Sequence, residues 1–369
     1  FYAAVQRLAD YRAGQGMRVG VVDVDDLYNE FNHGIFHPVA IRNFLAYAYA
    51  NWRPPAPSYV LLVGDGHWNF KGYGIERYGE LTPVYVPPNL AFVDPWQGEV
   101  DSTNLLAAIV GDDILPDLAI GRLPVNSVAE LDAAIDKIIA YEQAAPADWQ
   151  RHALFVADNI PDVAGDFVWL ADDIIANNLP AGIQADRIYL NDYCGAPANP
   201  PQPCPAVNTA IVEQLNATGA LFVSYIGHAS VERWAHERIF VNEDFPALTN
   251  GDRLPVVLSM TCLDGYFYYP NRPSLAEELV RADGRGAVST FSPSGLGVAT
   301  GHHVMQRRFY DAVFKDGVRE LGPATLAAKA ALFATGWNYD LIHTFTIFGD
   351  PALRLRVPPA TVYLSLAAR

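Results

Sequence analysis

The feature that most constrains this chain is a series of short apolar runs separated by helical segments. Tyr59–Val63 and Val256–Met260 are examples, and Leu221–Ile226 is nearly as apolar. A strand with no apolar–polar alternation needs cover on both faces. A parallel sheet flanked by helices supplies that cover, because each parallel connection must cross over the sheet. The runs place strands at Met17–Val24, Tyr59–Val63, Asp117–Ile120, Ala153–Ala157, Arg187–Leu190, Ala220–Ile226, Val256–Met260 and Gly286–Thr290. Helical spacing places helices at Val5–Arg12, Ile41–Asn51, Phe167–Asn177, Val207–Leu215, Ser274–Arg281, His303–Phe314 and Ala324–Ala334. The helix Val128–Glu142 is the clearest, with Leu131, Ala134, Ile135, Ile138 and Ile139 on one face and Ser127 as its N-cap. Pro146–Trp149 punctuates two such series. Lys71–Asn104, rich in Pro, Tyr and Trp, reads as a structured loop.

Composition narrows the function classes. The 369 residues are 51% hydrophobic and 18% charged, an ordinary globular balance. A net charge of −16 repels phosphate backbones, so nucleic acid is not an expected partner. No apolar stretch approaches the ~18 residues of a membrane span. The chain begins Phe1-Tyr2-Ala3 without an initiator Met and reads as a piece of a longer protein. Of three cysteines, Cys194 and Cys204 flank a Pro-rich loop and could close it, which leaves Cys262 without a partner.

In parallel α/β sheets, ligands meet the carboxyl ends of strands. The residues at those ends are Asp65, Asp158, His228 and Cys262. A thiol and an imidazole at one sheet edge suit nucleophilic attack on a carbonyl, with Cys262 as nucleophile and His228 as acid/base. The backbone N–H groups of Cys262 and Ala229 could receive the oxyanion, and Gly227 lets the chain turn tightly beside a substrate. The plainer alternative is a buried structural Cys and a loop His, and the residues alone leave both open.

The surrounding motifs carry a resemblance. Tyr225-Ile226-Gly227-His228-Ala229-Ser230 with Trp234 resembles the catalytic-His segment of the gingipain-type cysteine peptidases, family C25. Met260-Thr261-Cys262-Leu263-Asp264-Gly265-Tyr266-Phe267, followed by Ser274-Leu275-Ala276-Glu277, resembles their nucleophile segment. Phe348-Gly349-Asp350-Pro351-Ala352-Leu353 is similar to their closing signature, and Leu61–Asp65 and Pro116–Pro124 to their N-terminal half. The resemblance implies a caspase-like α/β fold of two side-by-side subdomains, residues 1–148 and 149–357, each with a mostly parallel sheet flanked by helices. Residues 358–369 then start a truncated immunoglobulin-like domain. It implies a Cys262–His228 dyad in a cysteine endopeptidase, secreted or at a bacterial cell surface, acting on protein or peptide substrates. Asp158 falls where the family carries an acidic residue near the His, to orient or strengthen the imidazole. Asp166 falls near the position that reads a basic P1 side chain in Arg-specific gingipains, although it equally reads as an N-cap. Leu296, in the Ser- and Gly-rich segment Ser289–Gly301, falls on the wall of the substrate pocket. One departure is Ala229, where the family usually has Gly.

The chemistry requires no cofactor. Structural Ca²⁺ is compatible with the family, and Asp94, Glu99, Asp101, Asp112 and Asp113 are the acidic candidates, without EF-hand spacing. His236, His302 and His303 lack partners at zinc spacing. Two rival readings are a sortase-like transpeptidase using the same dyad and a non-catalytic α/β binding module using Gly64-Asp65-Gly66. That tripeptide lacks a dinucleotide or P-loop pattern.

Overall fold

The computed structural model describes residues 1–359. Eight strands form one sheet: β1 (Tyr59–Val63), β2 (Ala119–Leu123), β3 (His152–Ala157), β4 (Gln184–Tyr189), β5 (Phe222–Ile226), β6 (Val256–Met260), β7 (Ser289–Pro293) and β8 (Phe345–Phe348). Their spatial order is β1-β2-β8-β7-β6-β5-β3-β4. All neighbours are parallel except β7 and β8, which pair antiparallel from Thr290↔Phe348 to Pro293↔Phe345. The sheet is therefore two parallel sets of opposite direction, joined edge to edge. The chain passes from one set to the other between the helix Val128–Gln143 and β3. β8 then returns to pair with β2, so residues 345–348 belong by hydrogen bonding to the N-terminal set.

The apolar strands have the cover they require. Phe155, Phe222, Ile226, Leu258 and Met260 pack into one core, and Leu154, Val156, Val223, Tyr225 and Val257 into another. Adjacent residues of a strand point to opposite faces, so these two cores lie on opposite faces of the sheet. Helix ends follow local chemistry. Ser127 accepts the Glu130 N–H at the start of Val128–Gln143, and Ser274 forms a capping box with Glu277 at the start of Leu275–Arg281.

Several expectations need correction. Met17–Val24 is not a strand: it has no sheet neighbour, and its last residue begins the helix Val24–Phe31 behind the N-cap Asp23. Apolarity without a ladder partner does not make a strand. The strand expected at Gly286–Thr290 runs from Ser289 to Pro293, because Gly286 is held in a turn by Asn250. β8 is a strand that periodicity did not reveal. Within the long loop, Leu90–Asp94 and Gly98–Asp101 form an antiparallel hairpin. The strand expected near residues 361–366 lies outside the described residues.

Candidate active site

β5 and β6 are adjacent and parallel, with Ile226 opposite Met260. His228 and Cys262 each lie two residues beyond that pair, so both emerge at one sheet edge. The two turns are bonded directly: the Thr261 hydroxyl donates to the Gly227 carbonyl at 2.7 Å. Gly227 has no alternative residue, because a Cβ there would lie 2.3 Å from the Cβ of Asp158.

The Cys262 turn is strained. Leu263 holds φ at +60°, a left-handed conformation that costs a branched residue about 1–3 kcal/mol. Its N–H donates to the Gly295 carbonyl at 3.1 Å. The half-buried Cys262 thiol lies 3.7 Å from the Gly297 carbonyl, which accepts its proton. Burial pushes the thiol up to about 11, with Asp264 and Asp94 adding to the rise. The thiol is thus protonated at neutral pH. Leu296 stands on the same loop, and its N–H donates to Asp94 Oδ2 at 2.7 Å. Asp94 ends a strand of the N-terminal hairpin, so a residue some 200 positions away fixes the loop over the thiol.

The His228 turn is held by carboxylates. Asp158, just after β3, accepts the backbone N–H of His228 at 2.9 Å and that of Asn159 at 2.8 Å. Burial lifts Asp158 to about 6 against those two donors. Asp158 therefore meets the main chain of His228, not its ring, which corrects the expected role. The carboxylate at the ring is Asp162, whose Oδ2 lies 3.2 Å from Nε2. Phe167 packs edge-on against the imidazole at 5.5 Å.

A buried aromatic bridge links the two turns. Asp264 accepts the Trp234 indole N–H at 3.1 Å, and Trp234 stacks on Tyr225 at 4.5 Å. The Tyr225 hydroxyl in turn donates to the His228 carbonyl. Burial raises Asp264 to about 7.

Ala229 takes up an extended strand conformation, so the departure from Gly carries no backbone strain. It pairs with Trp234 in a small hairpin where Ala235 N–H donates to the His228 carbonyl. That makes Ala229 a non-hydrogen-bonded position, with its N–H directed away from the partner strand. The Cys262 N–H has no hydrogen-bond partner among the described residues.

The remaining expectations divide. Asp166 is exposed and caps Phe167–Asn177, its Oδ1 accepting the Trp169 N–H at 2.9 Å. It is not an unpaired carboxylate in a closed pocket. Asp65 ends β1, whose direction puts it at the opposite sheet edge, and Arg281 and Asn126 occupy it. Of the acidic Ca²⁺ candidates, Asp94, Asp101 and Asp113 accept backbone N–H groups, Asp94 from both Trp96 and the distant Leu296. Among the described residues no three His, Cys, Asp or Glu side chains are grouped to hold a metal. Cys194 and Cys204 form a disulfide, and Cys262 is the free thiol. Asp162, the Leu263 strain and the Gly297 carbonyl were missed by the sequence reading. A second Asp four residues after Asp158 was the available signal for the first.

A free thiol and an imidazole at the carboxyl ends of neighbouring strands, on a sheet of two opposed parallel sets, define a caspase-like α/β protein. The chain belongs to peptidase family C25, whose model matches residues 1–356. It is 26% identical over 368 residues to Gingipain R2 of Porphyromonas gingivalis, covering 95% of this chain and 44% of that protein. It is equally similar to Gingipain R1 of the same organism, of which it covers 33%. The chain thus spans less than half the length of these relatives. Among solved structures it resembles the complex of Porphyromonas gingivalis RgpB pro- and mature domains, with a TM-score of 0.77 at 22% identity, covering 96% of this chain and 77% of that one. It also resembles the Arg-specific cysteine proteinase gingipain R, with a TM-score of 0.71 at 22% identity over 91% of this chain and 76% of that one. At such identity these likenesses show the fold. Among the described residues no helix is long and apolar enough to cross a membrane.

Proposed function

We propose that this chain is a cysteine endopeptidase in which Cys262 is the nucleophile and His228 the general acid/base. The observation that carries the reading is the joined pair of turns, Thr261 to Gly227, at the ends of β6 and β5. With Asp162 at Nε2, Nδ1 is the nitrogen that takes the thiol proton. Because the resting thiol is protonated, this transfer accompanies attack rather than preceding it. Sulfur bonds to the scissile carbonyl carbon, and the oxyanion meets the Cys262 and Ala229 N–H groups. The imidazolium returns its proton to the leaving amine as the C–N bond breaks. Water, deprotonated by the same imidazole, then releases the acyl group. Every step uses groups of this chain.

The net charge of −16 favours approach of basic substrates, and Asp166 at the start of the helix beside His228 is the candidate reader of a basic P1 residue. As an exposed carboxylate it supplies weak discrimination. The disulfide suits an oxidising compartment, which supports a secreted or surface location. The test is cleavage of a peptide library by the wild type and by Cys262→Ala, with and without an added amine. The reading expects hydrolysis products from the wild type alone. Cleavage by Cys262→Ala overturns it, and amine-capped products in place of acids would identify a transpeptidase.

A further inference from the structure

The carboxylates on His228 stand on a short segment whose own support leads to the disulfide. Asp158 and Asp162 flank Ile160. The Ile160 N–H donates to Asn191 Oδ1 at 2.8 Å, and its carbonyl accepts from Asn191 Nδ2 at 2.8 Å. One side chain thus satisfies both main-chain groups midway between the two carboxylates. A second clamp holds the neighbouring residue: Asn159 Nδ2 donates to the buried Glu237 at 3.2 Å. The Glu237 carbonyl accepts the Cys204 N–H at 2.8 Å.

Asn191 belongs to the helix Leu190–Cys194, which has five residues. Leu190 is buried, while Asp192, Tyr193 and Cys194 are exposed. A helix this short does not persist without tertiary anchors. Its far end is joined by the Cys194–Cys204 disulfide to the residue bonded to Glu237. The two clamps are therefore parts of one closed ring: segment 158–162, Asn191, the disulfide, Glu237 and back to Asn159.

We propose that Asn191, fixed by the Cys194–Cys204 disulfide, is a positioning residue that holds Asp162 against the His228 imidazole. This rests on the reading of His228 as the acid/base. Without the Asn191 amide, both main-chain groups of Ile160 must turn to water, and Asp162 is no longer held at Nε2. The same connection couples activity to redox state. Cys262 reacts only as a free thiol, whereas the ring needs its disulfide. Two equivalents of an external thiol reduce the disulfide to the Cys194 and Cys204 thiols and leave as an external disulfide. Cys194 is exposed to such a thiol. Mild reduction that keeps Cys262 free therefore activates, and stronger reduction inactivates.

The experiment compares the wild type with Asn191→Ala, Asn191→Asp, the double variant Cys194→Ser/Cys204→Ser and the control Asp192→Ala. For each, kcat and KM are measured separately, with the rate of Cys262 alkylation by iodoacetamide. Asn191→Ala and the double Ser variant should lower kcat about tenfold with KM changed less than about twofold. Asn191→Asp keeps an acceptor for the Ile160 N–H and should recover part of kcat, while Asp192→Ala should match the wild type. Strong dithiol should lower kcat in the wild type but not in the double Ser variant. An unchanged kcat in Asn191→Ala overturns the proposal. So does a loss that follows only the fraction of folded protein, or a dithiol effect that persists in the double Ser variant. If the wild type cleaves no peptide, the peptidase reading fails by itself. Alkylation then decides the clamp: Asn191→Ala should slow it as His228→Ala does, and an unslowed rate overturns it.

Discussion

Two regions of one sheet use their strand ends in opposite ways. At the end of β1, Asp65 accepts Arg281 at 2.6 Å and Asn126 at 2.8 Å, and Arg281 also pairs with Glu277 at 2.6 Å. Each charge there has an internal partner, and the cluster ties the N-terminal half to the helix that follows Cys262. At the ends of β5 and β6, the thiol has only a carbonyl at 3.7 Å, and the imidazole is about one-third exposed. Polar capacity is left over for a substrate, and backbone strain is tolerated at Leu263. A strand end is thus a lock when its partners are internal and a reactive site when they are withheld.

The largest expected effect is on the reactive side. Cys262→Ala should lower kcat by at least ~10⁴-fold while leaving the melting temperature within a few degrees, since a small side chain is lost without unpairing a charge. Residual cleavage near the wild-type rate would break the contrast. On the locked side the pattern should invert. Arg281→Met leaves the buried Asp65 carboxylate without its cation, and should cost about 3–5 kcal/mol of stability in urea unfolding. The folded fraction should keep its kcat. A loss of kcat without loss of stability would show that the cluster is part of the catalytic machinery.

The pH response sharpens the comparison. Burial raises Asp264 to about 7 and Glu277 to about 8, the latter with Asp65 adding and Arg281 opposing. Each is protonated in the folded chain where it is ionised in the unfolded one, so ionisation opposes folding. Their stabilisation is complete below pH ~4 and is lost as pH rises through about 7 and 8. Asp264→Asn, which keeps an acceptor for Trp234, should flatten the part of the decline below about pH 7. An unchanged stability–pH curve in that variant would remove Asp264 as its source. The smallest effect concerns specificity. Asp166→Asn retains the helix cap and should reduce any Arg-over-Leu P1 preference by no more than about fivefold, because the carboxylate is exposed. A hundredfold change would place Asp166 inside a desolvated pocket.

The strands that build the reactive edge were legible because β5 and β6 are buried on both faces and are apolar apart from one serine each, Ser224 and Ser259. The helix Phe167–Asn177 and the caps Ser127 and Asp166 followed from local rules. β8 was not legible, because four residues give no period and its place depends on two distant neighbours. At the site, Cys262 and His228 stood out by chain position. Asp158 was placed on the right turn but given the ring contact that belongs to Asp162, since sequence distance cannot tell a main-chain N–H from an imidazole. Asp94 was read as a Ca²⁺ candidate, and only the folded chain brings it to Leu296.

The dyad requires Cys262 and His228 to act together, and a peptidyl acyloxymethyl ketone tests this most directly. Its labelling of the wild type and of His228→Ala is followed over time by mass spectrometry. The label should appear on Cys262, with Cys194 and Cys204 unmodified, and His228→Ala should slow its attachment at neutral pH by about a hundredfold or more. Equal rates in the two proteins, or a label carried elsewhere, would contradict the dyad.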